Sequence, residues 1–456
     1  MKLQSKEIHY ALVLLPLLFF YVIALINSVI TSDASLAFSS IVSPLACFLF
    51  IKLILFFDIN RPDRKRVYAI YSCTLLINLI FMLYHSAYFN ALNPGHPFHP
   101  GGDAESYFNL ADDLSTSWRN GSFLHFHQKY MGFTYLLTGW LFFLKNIFGT
   151  TSVLSLKIFS ATLSSLLPCM TYLLAKRYYT EKEALTTAIL LAAPGIFTFF
   201  SSVLLRDILV GVLSVTIILL LQYSLQLKSA LHKTTCFFLT ALIAYLIFLL
   251  RLEALCYVLI GAYLALLLNL SYKQNITVAL LLVIVLFSMA PFVYERITSL
   301  QGRYTAKLVN QSDNIDGVGR KLYTSTNPIT LVARFIYTTL CPIPPVSKTS
   351  DILPYVDLAL GACIWYLLTV PFFIGTKEIW KSRKNIPLIF MAYGLLLYGV
   401  FAPTGIRHKL QALPFMYILA ARGIHLVKFT KLIKHLAITL TALGLLFSLY
   451  VLIKTL

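Results

Sequence analysis

The chain has 456 residues, 58% of them hydrophobic and only 12% charged, with a mean hydropathy of +0.78. That excludes a soluble globular protein and points to a polytopic membrane protein, because no polar stretch between the apolar runs is long enough to bury a core of its own. The formal charge of +19 is spread as short Lys and Arg clusters between those runs, with no basic domain or tail, so it fits membrane topology and not nucleic-acid binding.

In chain order, the opening "MKLQSKEIHYALVLLPLLFFYVIALINSVI" has a basic start but a long apolar run and no small-residue cleavage site, so it reads as a retained first helix. Apolar runs then predict helices over 9–30, 38–57, 68–88, 153–175, 184–204, 207–226, 235–250, 254–271, 276–294, 354–374, 387–402, 409–427 and 436–453. The expected fold is all-α, a transmembrane bundle of about thirteen spans. Six cysteines (Cys47, Cys73, Cys169, Cys236, Cys256 and Cys363) sit inside apolar runs and Cys341 in a connector, which gives neither a disulfide framework nor zinc spacing.

Two further stretches, "YMGFTYLLTGWLFFLKNIFG" (130–149) and "ITLVARFIYTTLCPIPP" (329–345), decide the topology. With neither crossing and the N-terminus cytoplasmic, the clusters "NRPDRKR", "KRYYTEK", "KEIWKSRK" and "KFTKLIK" all fall inside. If one of the stretches crossed alone, every later cluster would flip; if both crossed, "KRYYTEK" would. Both are therefore expected to lie along the outer interface, which suits the Lys145 and Arg334 interruptions and the helix-ending "CPIPP". The chain then divides into two accessory helices (1–67), a core (68–294) with an external loop (89–152), a second external loop (295–353) and C-terminal helices (354–456).

This topology gathers ionisable residues on the outer side. "HPGGDAESYFNLADDL" (99–114) begins a helix at Asp103, with Tyr107 one turn on and on the same face. Asp103 can be a simple N-cap with Glu105, Asp112 and Asp113 as solvated neighbours, or a general base that takes a proton from an acceptor hydroxyl. Arg206, Arg251, Arg407, His408 and Lys409 come from separate segments yet share that side, as do Arg296, Arg303, Lys307, Arg320, Lys321 and Arg334. Arg forks suit phosphate oxygens; each cation can equally cap a helix, snorkel or neutralise a neighbouring acid, as Arg206 with Asp207 or Arg251 with Glu253. One base and several phosphate-binding cations form the inventory for glycosyl transfer from a lipid phosphate, since a charge-compensated phosphate leaves without the second carboxyl group that a glycosidase needs.

The order and context of these segments resemble the GT-C superfamily of polytopic glycosyltransferases, which includes the protein O-mannosyltransferase and aminoarabinose transferase relatives. "GGDAESYFNLADDL" followed by "YMGFTYLLTGWLFFLKNIFG" and a span ending in "LLAKRYY" looks like that family's first external loop, interfacial helix and basic turn. "ALTTAILLAAPGIFTFFSSVLLRD" resembles its Pro-containing helix leading to a second acidic site. The resemblance covers roughly residues 68–290 and the rest loosely, and implies Asp103 as catalytic base, Asp207 as second acid and Arg407, in "GIRHKLQALPFMYILAARGI", as a lipid-phosphate contact; the outer-face reading adds Glu105 to the second acidic site, Arg206, Arg251, His408 and Lys409 as donor-phosphate contacts, and Tyr107 and Glu253 near acceptor or donor. It departs from the family in the two helices that precede the core, and no large soluble C-terminal domain follows.

The implied partners are a polyprenyl-phosphate-linked sugar, a glycan or lipid acceptor and membrane lipids, with no nucleic acid and no cofactor expected. Asp103 and Glu105 also read as a weak acidic pair for a divalent cation, Mg or Mn. There is no phosphate-binding Gly loop, no His-Glu-x-x-His and no Gly-x-Ser-x-Gly; His125 and His127 lie two apart and would face different ways on a helix. Two alternatives stay open: an O-antigen type polymerase of diphosphate-linked repeat units, and a lipid-linked sugar transporter. A transporter would be expected to carry midplane charges on broken helices and repeated halves.

Overall fold

The computed structural model describes residues 33–58, 64–92, 97–98, 103–122, 132–149, 152–267, 270–310, 329–340, 356–379, 382, 385–401, 406–428 and scattered positions between 430 and 448. Every element among them is an α-helix, as hydropathy leads one to expect. They are α1 (Ala34–Phe56), α2 (Arg64–Leu92), α3 (Asp103–Arg119), α4 (Gly132–Phe148), α5 (Val153–Ser164), α6 (Leu166–Tyr178), α7 (Glu181–Ala192) and α8 (Ile196–Ser202). After these come α9 (Asp207–Gln226), α10 (Ala230–Leu250), α11 (Leu252–Leu267), α12 (Tyr272–Asn310), α13 (Ile329–Leu340), α14 (Val356–Ile379), α15 (Ile386–Phe401) and α16 (Ile406–Leu426).

The helices long and apolar enough to cross a membrane number seven among the described residues, or eight if α7 and α8 form one bent span. The expected count of about thirteen is therefore not reached. The reasons differ from run to run. The run at 9–30 lies outside the described residues, and that at 436–453 falls in a stretch described only in part. The 254–271 and 387–402 runs give α11 and α15, each of 16 residues and shorter than a comfortable span. The 409–427 run becomes α16, diluted by Arg407, His408, Lys409 and Arg422. The 184–204 run is broken by 53° between α7 and α8, at Ala193–Pro194–Gly195, where proline removes a backbone donor and clashes with the preceding turn.

The chain forms two compact units, one of residues 1–174 and 188–252, the other of 175–187 and 253–456. In the first, polar contacts between helices fix their polarity. Ser35 meets Ser155 at 3.1 Å, Asn78 donates to Ser165 at 2.8 Å, and Lys157 donates to Ser86 at 2.9 Å. Tyr223 donates to Asp58 at 3.0 Å, at the far ends of α9 and α1. These pairings bring the first turns of α1 and α5 to the same end of the unit as the last turns of α2. The chain thus leaves that end with α2 and re-enters at the same end with α5, as it must if residues 130–149 do not cross.

The position of α4 agrees with this. Its Gly132 abuts the last turn of α10, its Trp140 stacks on Phe159 near the start of α5 at 4.6 Å, and its Phe143 and Phe148 meet Phe38 near the start of α1. A helix of 17 residues thus contacts α10, α5 and α1 in succession along its length. Its apolar side faces the bundle, burying Phe133, Leu137, Leu141 and Leu144 at helical spacing.

In the second unit α14, α15 and α16 pack together with α13. Gly375 and Gly423 let α14 and α16 meet backbone to backbone, since a Cβ at either would strike the Leu419 or Pro371 carbonyl. The segment 175–187 is locked to α16: Glu183 accepts from the backbone N–H and hydroxyl of Thr180 at 2.8 and 2.7 Å as a capping box and pairs with Arg422 at 2.6 Å.

Candidate functional site

The candidate site is the end of the first unit where α3 and α4 lie. Asp103 opens α3 and is exposed; Glu105 is partly buried. Residues two apart on a helix point to nearly opposite faces, so these two carboxylates do not converge on one ion. No group of three His, Cys, Asp or Glu residues that could hold a metal occurs among the described residues.

Tyr107, one turn beyond Asp103, sets its ring edge-on against Phe133 of α4, with centroids 5.3 Å apart. Beside Phe133, Gly132 runs against Leu249: a Cβ there would come within 2.7 Å of the Leu249 Cβ and 2.8 Å of its backbone carbonyl, so only glycine permits the approach. The carbonyl of Leu250 accepts a hydrogen bond from Arg206 Nη1 at 3.1 Å. Arg251, the next residue, forms a salt bridge with Asp207 at the start of α9. Four successive contacts therefore connect the helix that carries Asp103 to the corner that holds Arg206, Asp207 and Arg251.

That corner holds a pairing that sequence neighbours do not reveal. The salt bridge joins Arg251 to Asp207, from separate helices, and both side chains are buried, at 6% and 1% exposure. In a low-dielectric end such a pair exists only as a pair, since either partner alone would be an uncompensated charge. Glu253 is also buried, in the first turn of α11, which belongs to the second unit.

Of the remaining expected cations, Arg407 and His408 have side chains outside the described residues. Lys409 is fully buried in the second unit, where it donates to the carbonyl of Thr339 at 2.7 Å and lies 4.2 Å from the centroid of Trp365. Trp365 Nε1 donates to the same carbonyl at 2.7 Å. Lys409 is thus engaged in binding α13 to α14 and α16.

Asp112 is not simply a solvated neighbour of Asp103. It pairs with Lys145 of α4 at 2.7 Å, and the same ammonium donates to the Thr116 hydroxyl at 2.8 Å, so the lysine that interrupts the apolar run of α4 fastens α3 to it. Asp113 is exposed.

Sequence reading missed Lys157. It lies in the second turn of α5, only 3% exposed, donating to Ser86 Oγ and to the carbonyl of Pro97 and lying 5.2 Å from the centroid of Phe98. Next to Ser86, buried His85 meets Ser202 Oγ through Nδ1. The signal was available: an ionisable residue inside a span is costly and is kept for a reason.

Neither protein-family models nor curated proteins match this chain.

Proposed function

We propose that this chain is an integral membrane glycosyltransferase that moves a sugar from a polyprenyl-phosphate donor to a cell-envelope glycan or lipid acceptor. The N-terminus and the basic clusters lie in the cytoplasm, the membrane is a bacterial inner membrane, and the reaction takes place on the outer side. The observation that carries the reading is the chain of contacts Tyr107–Phe133, Gly132–Leu249, Leu250–Arg206 and Arg251–Asp207, which connects an exposed carboxylate to the corner that holds Arg206, Asp207 and Arg251 at one end of a helical bundle.

Asp103 is the general base. Its carboxylate takes the proton of the acceptor hydroxyl as that oxygen attacks the anomeric carbon from the face opposite the phosphate. The anomeric C–O bond breaks, its electron pair leaves with the phosphate, and the sugar is inverted. No acid is needed for departure, because arginine side chains compensate the phosphate's growing charge. At the corner Asp207 holds Arg251, and Arg206, only partly buried, is the residue best disposed to meet a headgroup. Asp207 holds Arg251 in place and does not act as a second base.

The glycan profile of a strain lacking the chain tests this reading. A uniform small shift, restored by the wild-type chain and not by Asp103→Asn, is the expected result. Collapse of a ladder to one repeat unit would replace it with the diphosphate-dependent polymerase, and an unchanged profile would remove the glycosyltransferase reading.

A further inference from the structure

We infer that Lys157 is the positioning residue that fixes the direction of Asp103; this rests on Asp103 being the base. Lysine is an expensive choice in the second turn of an apolar span, and its contacts among the described residues are neutral: the Ser86 hydroxyl, the Pro97 carbonyl and the Phe98 ring. A methionine would fill the same space without burying a charge. What the ammonium adds is direction, because its bonds converge on Pro97 and Phe98, the residues that lead into α3.

The hold is passed on to the helix. Phe98 is buried and packs on Phe108 of α3 with centroids 5.5 Å apart, while the adjacent Tyr107 packs on Phe133 of α4 at 5.3 Å. Neighbouring positions on a helix point about 100° apart, so two anchors at 107 and 108 fix the rotation of α3 about its axis as well as its place. Asp103 lies on the same face as Tyr107, one turn earlier, and inherits that orientation. Ser86 supplies the fixed end: it belongs to the last third of α2, so the clamp runs from α2 through Lys157 of α5 to the chain ahead of Asp103.

The test uses the full chain in lipid nanodiscs, with Lys157→Met, Lys157→Arg and Phe98→Ala, and a panel of farnesyl-phosphate-linked hexoses and pentoses as donor probes. Lys157→Met is expected to raise amide hydrogen exchange in residues 97–108 by about tenfold or more while α9 keeps its protection, which separates loosening from unfolding. It should lower kcat by about ten- to a hundredfold and leave the donor KM within about twofold, the pattern of a misdirected base. Lys157→Arg should restore most of kcat, and Phe98→Ala should reproduce the methionine variant by cutting the same hold at its other end. Unchanged exchange at 97–108 in Lys157→Met would overturn the inference. So would a donor KM raised about tenfold with kcat intact, which would make Lys157 a contact of the donor phosphate. Raised exchange together with full activity in both Lys157→Met and Asp103→Asn would instead sink the base reading and leave the clamp standing.

Discussion

Two short amphipathic helices, α4 and α13, carry the same cue in sequence: an apolar run interrupted by one cation, Lys145 or Arg334. They are used differently. α4 touches three helix ends of the first unit and holds on its outer side a second helix, α3, through the Asp112–Lys145 pair, the Tyr107–Phe133 contact and the hydrogen bond from Arg119 to the Gly149 carbonyl. α13, 12 residues long or about 18 Å, packs in the second unit and is fixed at its C-terminal end, where the Thr339 carbonyl accepts from both Trp365 and Lys409. A cation beside α13 is thus consumed in fastening the helix. Beside α4 the fastening is done by Lys145 and by aromatic contacts, while at the neighbouring corner Arg251 pairs with Asp207 and Arg206 donates to the Leu250 carbonyl.

That contrast can be broken at several points, beginning with the buried pair. Asp207→Asn leaves Arg251 buried without its counter-charge and should cost about 3–5 kcal/mol, read as a large fall in thermal stability of the detergent-solubilised chain. Replacing both residues by apolar ones of similar volume should restore most of that loss, which a stability assay of the double variant will show.

Next comes the α4 contact. Gly132→Val must push α4 off Leu249 and should cost about 1–3 kcal/mol, with cysteine-accessibility labelling increasing along α4 and no change in α14 or α16. On the α13 side, Gly423→Val should destabilise the second unit by a similar amount while leaving accessibility in α4 unchanged.

The smallest expected effect is at Lys145. Lys145→Ala removes a partly exposed ion pair and one hydroxyl contact and should cost at most about 1 kcal/mol, within reach of denaturant melts but not of an activity assay. A larger loss would mean that the attachment of α3 depends on this one charge and not on the aromatic contacts.

Hydropathy was enough to locate the apolar helices, because a helix in a membrane satisfies its backbone bonds internally and is apolar outside, whereas polar α3 was found from its start at Asp103. Charge placement led to the expectation that 130–149 does not cross; in the structure the first turns of α5 lie at the same end of the first unit as the last turns of α2. Number of spans was less legible, since α11 and α15 have 16 residues each among the described ones and Pro194 breaks the run at 184–204, features that an apolar window averages away. In the site, sequence brought forward Asp103, Tyr107, Arg206, Asp207 and Arg251, which the fold joins through neighbouring contacts, and also Lys409, which the fold commits to Thr339 and Trp365.

What sequence could not give was who pairs with whom. Arg206 precedes Asp207 and Arg251 lies two before Glu253, but nothing in that spacing reveals the bridge that joins Arg251 at the end of α10 to Asp207 at the start of α9. Lys157 escaped for a related reason: one lysine among apolar neighbours barely alters the average of a span, although its burial, unlike its hydropathy, depends on which helices surround it.

The most direct measurement is sugar transfer by the purified chain in nanodiscs from farnesyl-phosphate-linked sugars to glycolipid extracted from the null strain, comparing wild type with Asp103→Asn. The account predicts transfer with inversion by the wild type and a loss of at least about a hundredfold in kcat in the variant, with unchanged thermal stability. Full activity in Asp103→Asn would contradict it.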